Sequence, residues 1–401
     1  MFRFPLIPLT ELLAKGLAFI IIIILTRILS IEDYGLFNYI VSLVLLVSVL
    51  MDGGINNYIF NKSVKNDLDD IESYFNGRMI LSFIVICSLL LFVYCYQKEY
   101  LMYVFLYVMF VFFNSTLAFF KMLARGREYK NIDIQTIILD PFFRLLLLGG
   151  IFLLEINIRL IEVLKIFLGV EIFIFIFIYV FIQKYFKISF SIKNIFLKLQ
   201  DILYDSKYFL LYYLFFVGIQ RIDVLFINQT IGSQAVALFA SAFNLYMVIL
   251  LFFSSYLTSG FKSILNDEKK MINYIKNVIL FYILIGFGIF IFSDILYQVL
   301  YPTVYFNASQ YLVLFMISLP FTIVSYFGIY YFNYINKTYW NVIILFLFFI
   351  FKFSLLSFMS LDKVVFYVYF LIIVEILLGT MYLFLLIKNM KGVYSENTSS
   401  K

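Results

Sequence analysis

Long apolar runs, broken only by short charged corners, dominate this chain and dictate its solvent. A helix needs about 20 mostly apolar residues to cross the hydrocarbon core of a bilayer. Twelve stretches qualify, at roughly 9–29, 35–55, 79–97, 101–121, 134–154, 161–182, 208–228, 235–257, 277–299, 310–332, 340–360 and 364–387. They are continuous and lack ten-residue alternation, so they read as helices and not as strands of a β-barrel. Only 13% of the 401 residues are charged, and 64% are hydrophobic. A soluble domain is about 25% charged. The expected fold class is an all-α integral membrane protein with about twelve transmembrane helices.

The corner charges orient the spans. With the N-terminus placed in the cytoplasm, the inside segments hold 21 lysines and arginines, from Arg3, Lys62, Lys65 and Arg78 through to Lys401. The outside segments hold only Lys98, Arg159 and Lys363. This is a strong positive-inside imbalance, and an even number of spans leaves both termini inside. The net charge of +6 is therefore a topology signal, and no nucleic-acid partner is expected. The segment "ISFSIKNIFLKLQDILY" is amphipathic and basic, which suits a cytoplasmic interfacial helix. The chain divides into an N-terminal six-helix lobe at 1–182, that linker at 183–207, a C-terminal six-helix lobe at 208–388 and a tail at 389–401.

Several chemistries are absent from the sequence. There is no histidine, which removes Ser-His-Asp and Cys-His catalysis and the commonest metal ligand. Cys87 and Cys95 sit at the two ends of one apolar run and read as packing residues. No phosphate-binding GxxxxGK[ST] loop occurs. No catalytic residue, metal or cofactor is expected. Arg3 and Lys15 precede the apolar stretch "LAFIIIIIL", and no small-residue cleavage site follows it, so the first span reads as uncleaved.

An internal repeat accompanies the division. "ILSIEDYGLFNYI" from residue 28 lies against "TIGSQAVALFASA" from residue 230, an offset of 202. "ARGREYKN" from residue 124 lies against "INKTYWN" at 335–341. Each pair falls at the same corner of its half. Six spans per repeat give two lobes pointing the same way, an architecture that places a central cavity between them.

Ionisable residues inside spans are the candidates for function, because each costs about 2.5–3.5 kcal/mol at a helix centre. The basic ones are Lys15, Arg27, Arg144, Lys165, Arg221 and Lys352; the acidic ones are Asp140, Glu155, Glu171, Asp223 and Glu375. Arg27 either snorkels at the outer end of the first span or stands at the mouth of a cavity. Lys15 either snorkels inward or faces the substrate path. Arg144 follows Asp140 by four residues, close enough to pair with it, with Pro141 between them. Arg221 and Asp223 are two apart, face different directions and should not satisfy each other. Lys352 could pair with Glu375 across helices. Glu171 and Glu375, with Asp140 and Asp223, are alternatively carriers of a coupling proton or cation.

The corner "LTRILSIEDYGLFNYIV" places Glu32 and Asp33 in a short outer turn. Ser30 and Asp33 have the spacing of a capping box, so Ser30 is expected to cap the second helix, with both acids in its first turn.

"LTRILSIEDYGLFNYIVSL", "ARGREYKN", "QRIDVLFINQTIGSQAVALFASAF" and "LYPTVYFNASQYLVLF" resemble, in order and spacing, segments of the polysaccharide and O-antigen repeat-unit flippases. That family lies in the superfamily of multidrug, oligosaccharidyl-lipid and polysaccharide exporters. The resemblance implies a transporter in the bacterial cytoplasmic membrane. Its substrate would be a polyprenyl-diphosphate-linked oligosaccharide, moved from the inner to the outer leaflet by alternating access for O-antigen or capsule synthesis. Its partners would be that lipid, the membrane lipids and the polysaccharide polymerase machinery. Arg27 and Arg221 fall in segments that match the family. Lys15, Arg144 and Lys352 rest on no family motif. As substrate-binding candidates, all five cations suit a diphosphate, whose charges cannot cross hydrocarbon unpaired.

Two other readings remain open. A membrane polysaccharide polymerase or glycosyltransferase would need a sizeable outside loop, which this chain lacks. A multidrug exporter of the same superfamily would favour anionic spans, whereas here six cations face five anions.

Overall fold

The computed structural model describes residues 6–64, 71–186, 195–264, 268–335, 337–359 and 362–399. Residues 187–194 of the basic amphipathic linker lie outside the described residues, as do Arg3, Lys65 and Lys401, and from Ile195 onward the linker is the start of the same helix that carries the seventh span.

Every described segment is built from helices. α1 spans Leu6–Ile28, α2 Ile31–Asp52, α3 Ile55–Val64, α4 Ile71–Tyr96, α5 Leu101–Gly126, α6 Lys130–Leu153 and α7 Leu160–Phe186. α8 spans Ile195–Thr230, α9 Ser233–Ile264, α10 Glu268–Leu300, α11 Ser309–Tyr334, α12 Thr338–Phe358 and α13 Val364–Ser399. Twelve of these are long and apolar enough to cross a membrane, one for each apolar run in the sequence. The protein is a multi-pass membrane protein.

The helix ends follow local chemistry. Ser30 caps α2 by accepting the Asp33 N–H at 3.1 Å, and Glu32 and Asp33 occupy the first turn as expected. Ser30→Ala should therefore cost about 1 kcal/mol in thermal unfolding. α2 stops at Gly53, whose φ of 58° is left-handed and whose N–H returns to the Val49 carbonyl at 3.2 Å. The short helix α3 then follows. Its ten residues are too few and too polar to register as a span.

Helices also extend beyond their apolar runs. α4 begins at Ile71, eight residues before the run at 79–97, so Arg78 is not the loop charge that the topology reading makes it. It lies inside the helix, fully buried. Lys121 and Arg125 likewise belong to α5. Glu155, expected within a span, lies beyond the end of α6 with φ of 53°. Cys87 and Cys95 are free, and both are exposed on α4 instead of packed.

The chain forms two compact units, Met1–Arg221 and Ile222–Lys401. In the first, α1 runs along α6, α5 along α7, and α2 packs against α4 and α5. Phe75, Phe119 and Phe120 form the centre of an aromatic core with Phe175 and Tyr179. In the second, α11 is central and packs against α13, α10, α9 and α12. Counting spans within each half, the same pairs meet in both: fourth with sixth, second with fourth, fourth with fifth, fifth with sixth. The internal repeat is thus visible in the packing as well as in the sequence.

α11 and α13 approach closely at two glycines. A Cβ on Gly379 would stand 2.5 Å from the Phe321 carbonyl oxygen, and one on Gly328 would strike the Tyr382 ring. Small residues at such crossings let transmembrane backbones come together.

Polar knots fasten the corners that the repeat aligns. In the first unit Arg125 Nε and Nη2 donate to both oxygens of buried Asp133 on α6, at 2.9 and 3.1 Å. Nη2 also donates to Glu11 Oε1 on α1 at 2.8 Å. In the second unit Asn341 Nδ2 donates to the Ile329 carbonyl at 3.0 Å and to Asn333 Oδ1 at 2.9 Å. The Tyr382 hydroxyl donates to Asn341 Oδ1 at 3.0 Å. Beside this knot, in the first turn of α12, Trp340 packs its ring 5.6 Å from that of Tyr339.

Candidate functional site

Burying an ion costs several kcal/mol unless it is paired and hydrogen-bonded, so each charge inside these units demands a partner. The described charges inside the bundles gather into two main groups, one per unit.

The first group borders a cavity of about 560 Å³ in the first unit. α2, α5, α6 and the first half of α8 line it, with polar groups from Asp52, Tyr107, Asn114, Ser115, Arg144 and Tyr213. Arg144 is held on three sides. It pairs with Asp140 one turn earlier on α6, and its guanidinium lies over the rings of Phe110 and Phe167, at 5.0 and 4.9 Å. Both aromatic contacts are cation–π interactions that fix the fork in place. Glu171 comes from α7 and is fully buried. Asn114 Nδ2 donates to its Oε1 at 3.0 Å. Among the described residues its Oε2 has no hydrogen-bond partner, and Arg144 lies within electrostatic reach.

Arg78 stands behind the same cavity. Its Nη2 donates to Ser115 Oγ at 2.5 Å and its Nε lies 3.8 Å from Asp52 Oδ1. The Phe119 ring lies beneath it, 5.8 Å away. The sequence reading missed this residue because the apolar window opens one position later. A signal was available: Ile71, Phe75, Arg78 and Ser82 repeat at helical spacing, and all four are buried.

The second group lies in the second unit. Lys352 Nζ donates to Asp223 Oδ2, and both side chains are fully buried. This replaces the expected Lys352–Glu375 pair. α8 flanks α12 here, as the Phe226 and Phe353 rings 5.9 Å apart show, so the ammonium meets the aspartate first. Glu375 reaches α11 instead, where the Thr322 hydroxyl donates to its Oε2 at 3.1 Å. The Tyr246 hydroxyl donates in turn to Thr322 Oγ1 at 2.7 Å.

Arg221 and Asp223 point apart, as their spacing requires. Asp223 is buried against Lys352, whereas Arg221 is half-buried and within electrostatic reach of Tyr107 and Tyr213. The two cations of α1 are brought to neither group. Arg27 is exposed in the last turn, and Lys15, about 18 Å away along the helix axis, lies half-buried near Glu11 and Lys121.

The sequence profile of the polysaccharide biosynthesis protein family matches residues 6–261. No curated protein matches the chain. Several solved structures share the fold. An inward-facing multidrug resistance MATE family transporter of the MOP superfamily aligns with a TM-score of 0.68 at 14% identity, covering 97% of this chain and 99% of that one. An outward-facing structure of such a transporter gives 0.67 at 14% identity, over 94% and 93% of the two chains. A MOP superfamily transporter from Pyrococcus furiosus, described as having a binding pocket of reversed polarity that suggests a different function, gives 0.65 at 14% identity over 94% and 92%. At these identities the likeness is one of fold.

Proposed function

The chain belongs to the polysaccharide biosynthesis protein family, and on that footing we propose that it is a flippase for polyprenyl-diphosphate-linked oligosaccharides. It would carry these lipids from the cytoplasmic to the outer leaflet of the bacterial cytoplasmic membrane by alternating access, with both its termini in the cytoplasm. It would perform no covalent chemistry. The observation that carries this reading is the polar cavity within a membrane-spanning bundle, with an arginine in its wall. A diphosphate loses its hydration on entering such a site, and a guanidinium fork replaces it with charge-assisted hydrogen bonds. Arg144 and Arg221 are the residues we assign to that contact. Lys15 and Arg27 serve the two ends of the path along α1. Lys352, locked to Asp223, supports the second unit and touches substrate only if that pair opens.

The shared fold does not choose between drugs and lipid-linked sugars, since one MOP relative is itself described as having reversed pocket polarity. The arginines favour an anionic cargo over the cationic drugs of a multidrug exporter.

Deleting the gene should make single lipid-linked repeat units accumulate on the cytoplasmic side and deplete surface polysaccharide. Normal surface polysaccharide without accumulation would sink the reading. Arg221→Ala should cut flipping about tenfold or more, the size of one lost charge-assisted bond, while leaving membrane insertion intact. Arg221→Lys should keep part of the activity. Full activity in the alanine variant would remove Arg221 from the path.

A further inference from the structure

The cavity of the first unit carries one wall group that a diphosphate cannot use. Asp52, the last residue of α2, lines it. A phosphate is an anion that accepts hydrogen bonds, and a carboxylate offers it only repulsion. Asp52 is held from two sides. Its carboxylate accepts the backbone N–H groups of Gly54 and Asn56 at the start of α3. Its Oδ1 stands 3.8 Å from Arg78 Nε. The Asp52 side chain is still 21% exposed, whereas that of Arg78 is fully buried. An oriented acceptor is therefore left open to the space that Asp52 lines.

The same arginine sets a donor beside it. Arg78 Nη2 donates to Ser115 Oγ at 2.5 Å, and Ser115 also lines the cavity. A guanidinium can only donate, so Ser115 accepts here with a lone pair and its own proton points elsewhere. Among the described residues no acceptor takes that proton. Asp52 and Ser115 are contacted through one small planar fork, so they lie within reach of a single sugar ring. One buried cation thus presents the cavity with an acceptor and a donor side by side.

That pairing selects among ligand chemistries. A phosphate only accepts and leaves Asp52 unanswered. An ammonium only donates and leaves Ser115 unanswered. A hydroxyl does both, and adjacent hydroxyls on a ring satisfy the two groups together. Tyr213, exposed on α8, adds an aromatic face to the same cavity, which suits the apolar face of a sugar ring.

We propose that Asp52 and Ser115 form a sugar-hydroxyl subsite, separate from the phosphate contact at Arg144, with Arg78 as the positioning residue for both. The nature of the cargo rests on the flippase reading given above. The subsite adds that the protein reads the sugar next to the diphosphate, so selectivity among repeat units resides partly in these two side chains.

Calorimetric titration of the purified full chain in lipid nanodiscs, with empty nanodiscs as the blank, tests this. The probes are geranyl diphosphate and the same compound carrying one glucose, galactose or N-acetylglucosamine. At least one glycoside should bind about tenfold tighter than the bare diphosphate, the size of one hydrogen bond to a charged group. The ratio of the two affinities is the reading, because a general loss of binding or of fold cancels from it. Asp52→Asn should lower that ratio about tenfold, and Ser115→Ala about threefold. Arg78→Lys keeps a charge behind Asp52 but cannot serve both groups, and should lower the ratio as Ser115→Ala does. Arg144→Gln should weaken all probes and leave the ratio in place. If Asp52→Asn fails to fold, Ser115→Ala supplies the reading. A ratio near one with all three sugars, or one that either variant leaves unchanged once folded, overturns the subsite. Binding of the bare diphosphate without any gain from sugar overturns the subsite alone. Binding of no probe overturns the flippase cargo with it.

Discussion

Lys352→Met is expected to destabilise the protein by about 3–5 kcal/mol at neutral pH, the usual cost of breaking a fully buried ion pair from one side. Methionine fills a similar volume, so packing is largely kept and the loss comes from the charge. Asp223 is left buried with no cation, beside Glu375. The double variant Lys352→Met, Asp223→Leu removes both ions and should recover most of the stability, since apolar replacements of buried pairs are often neutral or better. The single variant should also regain stability as pH falls. Its folded state can remain neutral only by binding protons that the unfolded chain does not hold, and a state that binds more protons is favoured by acid. Thermal unfolding in detergent across a pH series reads all three. A single variant as stable as the parent at neutral pH would mean the pair is not insulated from water.

Gly379→Leu is expected to prevent α11 and α13 from docking. The first atom of any side chain there meets the Phe321 backbone oxygen at 2.5 Å and the Phe321 Cβ at 2.6 Å. A backbone atom cannot swing away as a side-chain tip can. The two helices must part, and α11 is the element on which the rest of the second unit packs. Gly379→Ala alone should cost about 1–3 kcal/mol, the range for forcing one methyl into a full core. The leucine variant should not yield monodisperse protein on size exclusion. Gly288, with open space around its Cβ position, is the control, and alanine there should leave the elution profile unchanged. Equal behaviour of the two alanine variants would show that the crossing is looser than described.

The twelve spans and the Ser30 cap were legible because each rests on local composition, and lipid makes the hydrophobic signal long and continuous. Arg78, the Arg125 knot and the Asp223–Lys352 pair were not, and for one reason. Each joins residues distant in sequence, and nothing local tells a charge in a corner from a charge on a helix that runs past its apolar stretch. Arg125 lay inside a motif that resembles the family's inner corner, yet its work there is to tie α1 and α6 to α5. Lys352 was seen as intramembrane but given the wrong carboxylate, since the neighbour of α12 at that level is set by packing. Glu171 and Glu375 combine both kinds of information: their charges were visible from the sequence, whereas their donors, Asn114 on α5 and Thr322 on α11, show only in the fold.

Trp340 gives the molecule a native optical reporter. It is the chain's only tryptophan, it opens α12, and its neighbour Asn341 is the centre of the knot to α11 and α13. Light absorbed at the red edge, beyond the reach of the 33 tyrosines, excites this one ring. Its emission colour and quenching then describe a single place, the first turn of the helix that carries Lys352. A change in that colour during turnover would time the loosening of this corner in unlabelled protein.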